Sequence, residues 1–224
     1  FYPGNLIIVG ARPSMGKSSL ALSFAIAAAK KQAGNVAVFA LEMSGKEIVR
    51  RMASMLGKVS MGVMRHNKLS YDDYDALANA CESLYSLPVF VDDTSDVTPL
   101  EMRGKCRRLK AEGGLSMIVV DYLQLMRSSR KTENRVQEIS EIARSLKSLS
   151  KELEVPVVAL SQLNRGVEGR DDKRPMLSDI RESGSIEAEA DVVMLLYRDE
   201  YYKAKELQEP RDFGPDRVEV AEVI

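Results

Sequence analysis

Several things are scarce in this sequence, and each scarcity narrows what it can be. Only one histidine and two cysteines occur in 224 residues. His66 stands alone in the polar connector "MRHNKLS" and reads as a solvated surface residue. No Ser/His/Asp set is evident, and no His/Cys cluster has metal-ligand spacing. Cys81 and Cys106 lie far apart, both in amphipathic helical patterns. They read as free cytosolic thiols packed as small hydrophobes. No apolar run approaches the ~20 residues that a membrane helix needs, and the opening residues do not read as a signal peptide. Charge of one sign is also lacking. Lys and Arg number 32 against 33 Asp and Glu, a formal net charge of −1. No global positive field pulls such a chain onto nucleic acid, so any contact of that kind must be local.

What remains is an ordinary globular composition, 45% hydrophobic and 29% charged, long enough for one large α/β core. The opening "FYPGNLIIVG" enters a strand at once, without a Met, and the end "DRVEVAEVI" stops inside an apolar alternation. Both ends are expected to be cuts in something longer, with residues 1–224 forming a single domain.

Short apolar runs alternate with helical patterns. Strands are expected at 6–10, 35–42, 88–93, 115–121, 155–162 and 191–197. "GKSSLALSFAIAAAKK" (16–31) is a helix by its Ala and Leu content. Ser44 with Glu47, and Ser70 with Asp73, open helices. Thr98-Pro99-Leu100-Glu101 caps another, with proline at the first helical position. A further helix follows the polar basic loop at 127–135 and runs to about Glu154. The stretch 164–185, rich in Gly, Arg and Asp, shows little periodicity. Continuous apolar strands between helices predict a twisted, mostly parallel sheet covered on both faces. Ligands of such sheets bind outside the carboxyl ends of the strands.

The exit of the first strand reads "GARPSMGKSS" (10–19). Gly16-Lys17-Ser18, preceded by four residues and Ala11, matches the phosphate-binding loop pattern. A strand-to-helix turn leaves the first helical N–H groups unpartnered and aimed at one spot, where the helix dipole adds positive charge. Candidate nucleotide-binding residues are therefore Gly10, Ala11, Arg12, Pro13, Ser14, Met15, Gly16, Lys17, Ser18 and Ser19. Lys17 can reach the β- and γ-phosphates, and the Ser18 hydroxyl can ligate Mg²⁺. The first glycine of the pattern is here Ala11, tolerable if that position keeps negative φ.

Other strand exits carry polar groups. Asp121 ends "MIVVD" and can hold Mg²⁺ through its water shell. Glu42 could accept a proton from a water attacking a γ-phosphate, or it could belong to the start of the helix that Ser44 caps. Gln162 could hydrogen-bond the γ-phosphate, or be a plain strand-end residue. Asp92 and Asp93 read as turn residues before the Thr98 cap. This order of phosphate loop, acid, aspartate and strand-end glutamine is RecA-like and points to a P-loop NTPase.

Longer stretches are more specific. "GARPSMGKSSLALSFA", "LEMS", "IVVDYLQLM" and "LSQLNRGVEGRDDKRPMLSDIRESGSIEAEADVVMLLYRDEYY" together resemble the C-terminal motor domain of bacterial DnaB-type replicative DNA helicases. The resemblance runs in order along nearly the whole chain. It implies an ATP-dependent helicase of the cytoplasm, acting at the replication fork. It further implies a homohexameric ring with ATP and Mg²⁺ between neighbouring domains, and single-stranded DNA in the channel. A primase and a helicase loader are the implied partners. Carried over by position, Lys17 and Ser18 are the ATP and Mg²⁺ residues, Glu42 the catalytic base, Asp121 the second-motif aspartate and Gln162 the γ-phosphate sensor. "RESG" implies DNA contacts at Arg181, Glu182 and Gly184. The loop with Arg127, Arg130, Lys131 and Arg135 either lines the channel or is a solvated charged loop.

The sequence departs from the family's pattern at both ends. The N-terminal domain and linker helix would precede Phe1, and an arginine finger with a lysine would follow Ile224. A chain of these bounds is expected to bind nucleotide, to hydrolyse it poorly, and to be a monomer or loose assembly. The competing reading is a RecA-type recombinase or repair ATPase, against which "RESGSIEAEADVVMLLYRDEYY" argues. A nucleotide-switched regulator or loader and a P-loop kinase stand further off. Glu42 disfavours a purely non-hydrolytic switch if it faces the γ-phosphate, and neither an acceptor-substrate site nor a lid for a kinase is seen.

Overall fold

A computed structural model describes residues 1–31, 33–128, 134–180, 183–206 and 221–224. The chain enters β1 (Leu6–Ala11) and turns into α1 (Lys17–Lys30). β2 (Asn35–Ala40) leads to three helices, α2 (Gly45–Gly57), α3 (Met61–Arg65) and α4 (Tyr71–Tyr85). Next come β3 (Val89–Asp92), α5 (Pro99–Gly113), β4 (Leu115–Asp121), α6 (Arg135–Leu153) and β5 (Val157–Gln162). The last part holds α7 (Ser183–Glu189), β6 (Val192–Tyr197), α8 (Asp199–Glu206) and β7 (Glu222–Val223). Short 3-10 turns occur at 123–125, 165–169 and 177–179.

The strands form one sheet of order β3-β2-β4-β5-β1-β6-β7. The first six are parallel, and β7 runs antiparallel to β6. Sheet and helices follow from the strand pattern. β1, β2, β4 and β5 are apolar on both faces because helices cover both. Alternate residues of a strand feed opposite layers. Leu6 and Ile8 of β1 join Ile139, Ile142 and Leu146 of α6, all buried, on one side. Ile7, Val9 and Ala11 join Ala21, Leu22 and Ala25 of α1 on the other. Each fully buried Ile or Leu contributes about 2 kcal/mol, so a change such as Ile8→Asp would break both register and core.

Register brings the strand exits level. Gly10 pairs with Ser161 and Ala11 with Gln162, while Ala40 pairs with Asp121. β5 lies between β1 and β4, so Gln162 stands between the loop after β1 and Asp121.

Most caps follow the sequence, with informative exceptions. Ser70 with Asp73 and Thr98 with Glu101 form complete capping boxes. Ser44 does cap α2, its hydroxyl accepting from the Glu47 amide at 3.4 Å. The Glu47 carboxylate does not return to Ser44. It lies 3.3 Å from Arg51 and 3.5 Å from Arg65, because two guanidiniums outcompete one exposed amide. β2 ends at Ala40, so Glu42 lies beyond the strand. Asp92 does serve its turn, accepting from the Thr94 amide, and pairs with Lys105. Asp93 accepts from the Gly45 amide at 2.8 Å and so holds the start of α2, not the Thr98 turn. Cys106 is buried as expected, its thiol pushed up to about 12 by desolvation and by Asp92. Cys81 is exposed, because α4 buries only Ala80. His66 is exposed at the end of α3. No helix among the described residues is long and apolar enough to cross a membrane.

Candidate nucleotide-binding site

The loop between β1 and α1 is shaped by backbone constraints. Gly10 is glycine for lack of room: a Cβ would lie 2.9 Å from Leu195 Cδ2 and 3.0 Å from Leu163 Cδ2. Gly16 has open space around it but sits at φ +94, where a side chain is strained. Ser14 adopts φ +67, and Ala11 is not among the positive-φ residues, as its methyl requires. Gly16 precedes the first turn of α1, and no side chain caps that turn. The amides at the start of a 14-residue helix thus face outward without a side-chain acceptor.

They border a cleft of about 470 Å³. Residues 11–14 and 16–19 line it, together with Glu42, Met43, Arg51, Arg65, Tyr122 and Gln162. Glu42 therefore faces the cleft, while Ser44 does the helix capping. Gly10 and Met15 are not on the lining. The Met15 side chain is 1% exposed and packs in the core with Leu22 and Ile26, anchoring the loop from beneath.

Lys17 Nζ lies 3.8 Å from Asp121 Oδ1 and 4.3 Å from the centre of the Tyr122 ring. Burial pushes its pKa below the usual lysine value, against the pull of Asp121 and Glu42. Asp121 is 3% exposed, and its Oδ1 is buried without a hydrogen-bond partner. At 3.8 Å the lysine neutralises that oxygen without bonding it. A buried, charged, under-satisfied carboxylate oxygen suits a hydrated cation. Among the described residues no group of three or more His, Cys, Asp or Glu could hold a metal by itself. A cation here would need oxygens from water and from a phosphate, the usual habit of Mg²⁺.

Gln162 is fixed from behind. Gln124 Oε1 accepts from the Gln162 amide at 3.3 Å, and Gln124 Nε2 donates to Ser161 Oγ at 2.9 Å. Arg135 in turn donates to the Gln124 carbonyl at 2.6 Å and pairs with Glu138. Arg135 therefore braces the site from α6 and is no free loop cation. Arg12 is also engaged, with Glu168 and the Leu163 carbonyl.

The DNA candidates lie elsewhere. Arg127 is exposed and paired with Asp96 at 3.0 Å. Gly184 is exposed in α7, with nothing near its Cβ position. Arg130, Lys131, Arg181 and Glu182 fall outside the described residues. Sequence reasoning missed Arg51, Arg65, Tyr122 and Gln124. Arg51 is on an amphipathic surface helix and Arg65 on a five-residue one, so no local pattern separates them from solvated arginines.

Comparison with known proteins decides the family. The family model for the DnaB-like helicase C-terminal domain matches residues 1–224. This chain belongs to that family. The replicative DNA helicase DnaB of Geobacillus stearothermophilus is 55% identical over 203 residues, covering 90% of this chain and 45% of that protein. The replicative DNA helicase DnaC of Bacillus subtilis is 52% identical over 203 residues, with the same coverage of 90% and 45%. The chain thus spans about half the length of the curated relatives it matches. Among solved structures, one of an isolated ATPase domain superposes with a TM-score of 0.86 at 32% identity, covering all of this chain and 81% of that one. A DnaB-like replicative helicase, studied with its interactions with primase, gives 0.87 at 32%, covering all of this chain and 55% of that one. The fold of this DnaB-like domain is accordingly that of the RecA-like ATPase domains.

Proposed function

We propose that this domain is the ATP-hydrolysing motor of a replicative DNA helicase. Residues 1–224 act as one RecA-like unit of a longer protein. ATP is the substrate and Mg²⁺ the cofactor. The observation that carries the reading is the meeting of Lys17, Glu42 and Gln162 around one cleft, with Asp121 beside Lys17.

The loop amides between Ala11 and Ser19 receive the phosphates, and Lys17 balances their charge. Ser18 and Asp121 hold Mg²⁺, Asp121 through water. When bound, Mg²⁺ neutralises charge developing on the transferred phosphoryl group. Glu42 takes a proton from the attacking water. Gln162 hydrogen-bonds the γ-phosphate and is kept at that height by Gln124. The RecA-type recombinase reading is not favoured, since family model and relatives point to the helicase.

Six such domains in a ring would concentrate positive charge on a channel, which accounts for DNA binding at a net charge of −1. Single-stranded DNA would be held by Arg181, Glu182 and Gly184, with Arg127, Arg130 and Lys131 nearby. A primase and a loader would dock on the assembled ring in the cytoplasm. Without a neighbour's arginine finger, a chain of these bounds would bind nucleotide but turn it over slowly.

The test is ATPase activity at natural full length, with and without single-stranded DNA, in the parent and in Arg181→Ala. DNA stimulation that is lost in the variant at unchanged nucleotide affinity is expected. No stimulation of the parent would refute the motor reading.

A further inference from the structure

The phosphate loop is tied to a second segment by one side chain. Arg12 Nε and Nη2 donate to Glu168 Oε1 at 2.9 and 2.6 Å. Arg12 Nη1 donates to the Leu163 carbonyl at 2.9 Å. All three guanidinium nitrogens are used, and the side chain is only 10% exposed. Charge-assisted, forked contacts of this kind carry geometric precision as well as energy.

The partner segment is itself rigidly set. The Leu163 amide donates to the Ala11 carbonyl at 3.1 Å, extending the β1–β5 ladder by one bond beyond Gln162. Val167, buried in the 3-10 turn at 165–169, anchors the turn that carries Glu168. Leu163 bridges Ile180, and the Asn164 amide donates to the Asp179 carbonyl at 2.7 Å. Asp179 accepts from Arg170 and from the Met176 amide, each at 2.7 Å. The segment that follows Gln162 is thus a braced unit, and Arg12 is the side chain by which the phosphate loop grips it.

Gln162 lies between its two fixings. Gln124 holds its amide from one side, and the Arg12 fork pins the chain immediately after it to the loop. We propose that Arg12 is a positioning residue: paired with Glu168, it sets the distance between the phosphate loop and Gln162, and so governs turnover rather than nucleotide affinity. This rests on the motor-ATPase reading of the same cleft. A phosphate could bind the Arg12 guanidinium only by displacing Glu168, which makes the pair, and not the arginine alone, the functional unit.

The test uses the protein at its natural full length, with kcat and KM for ATP measured in Arg12→Ala, Glu168→Ala and the double variant. Each single change should lower kcat about tenfold, the scale of a sub-ångström to ångström misplacement, and move KM by less than about threefold. The double variant should fall no more than about twofold below either single, because both remove one contact. Glu168 is 31% exposed, so its replacement leaves the core intact, and Glu168→Gln keeps an accepting oxygen and should fall between parent and alanine. An unchanged kcat in both Glu168 variants would overturn the proposal. So would an Arg12→Ala protein whose affinity drops in step with its turnover while Glu168→Ala is normal, which would make Arg12 a phosphate ligand. Lys17→Ala separates the two levels. If it abolishes ATP binding while the Arg12 and Glu168 variants are normal, the clamp alone fails; if it leaves binding intact, the motor reading fails.

Discussion

Lys17 Nζ stands 3.8 Å from Asp121 Oδ1, close enough to share charge and too far to hydrogen-bond it. The two residues come from neighbouring exits, with β5 between their strands. The gap leaves Asp121 Oδ1 unsatisfied in a buried setting. Asp121→Asn should therefore weaken the Mg²⁺ dependence of nucleotide binding and cut hydrolysis about a hundredfold, the usual effect of losing one charge-stabilising group. A titration of Mg²⁺ against bound fluorescent ATP analogue checks it. Identical Mg²⁺ curves in variant and parent would remove Asp121 from the cation site.

Nucleotide affinity should fall with rising pH. Burial depresses the Lys17 pKa in the free protein. A bound phosphate restores it, so binding favours the protonated lysine. The protonated form is complete below the depressed value and is lost above it. The decline in affinity should therefore begin before the pH reaches the ordinary lysine value of 10.5. Calorimetry across that range measures it, and Lys17→Arg should flatten the profile, because guanidinium stays charged.

Glu42 borders the cleft without capping α2, so its removal should spare binding. Glu42→Gln should retain ATP affinity and lose roughly 10²–10⁴-fold in turnover, the range for a positioned general base. Single-turnover hydrolysis with bound ATP quantified separately is the check. A loss of affinity matching the loss of rate would assign Glu42 to binding instead.

Stability at low pH should depend on Asp191. Burial raises its pKa, but Lys147 at 2.6 Å and the Leu6 amide at 2.6 Å outweigh that and hold it below the ordinary carboxylate value of 3.8. A carboxyl with a depressed folded-state pKa contributes stability above its unfolded value, lost as pH falls through the folded one. Asp191→Asn should cost about 1–2 kcal/mol at pH 7, the scale of lost charged hydrogen bonds at a partly exposed site. The difference from the parent should close under acid, as read by urea unfolding at several pH values.

Much of this fold is legible because its signals are local. The apolar runs of β1, β2, β4 and β5 bury both faces, so each reads as a strand without context. The Ser70 and Thr98 caps are complete in sequence and complete in space. The phosphate loop and Asp121 are legible for the same reason. What is not legible depends on distance along the chain. β7 is a two-residue strand that exists only by pairing with Leu196 and Tyr197. α3 has five residues and no buried side chain, so it leaves no periodic trace. The Arg12–Glu168 clamp joins positions 156 residues apart. Glu47 looks like half of a capping box until Arg51 and Arg65 arrive from the folded neighbourhood.

The most direct test of the central claim is the affinity of Lys17→Ala for ATP with Mg²⁺, measured by calorimetry beside the parent. The cleft geometry predicts loss of detectable binding in a protein that still melts cooperatively. Binding as tight as the parent's would contradict the assignment of this loop as a triphosphate cradle.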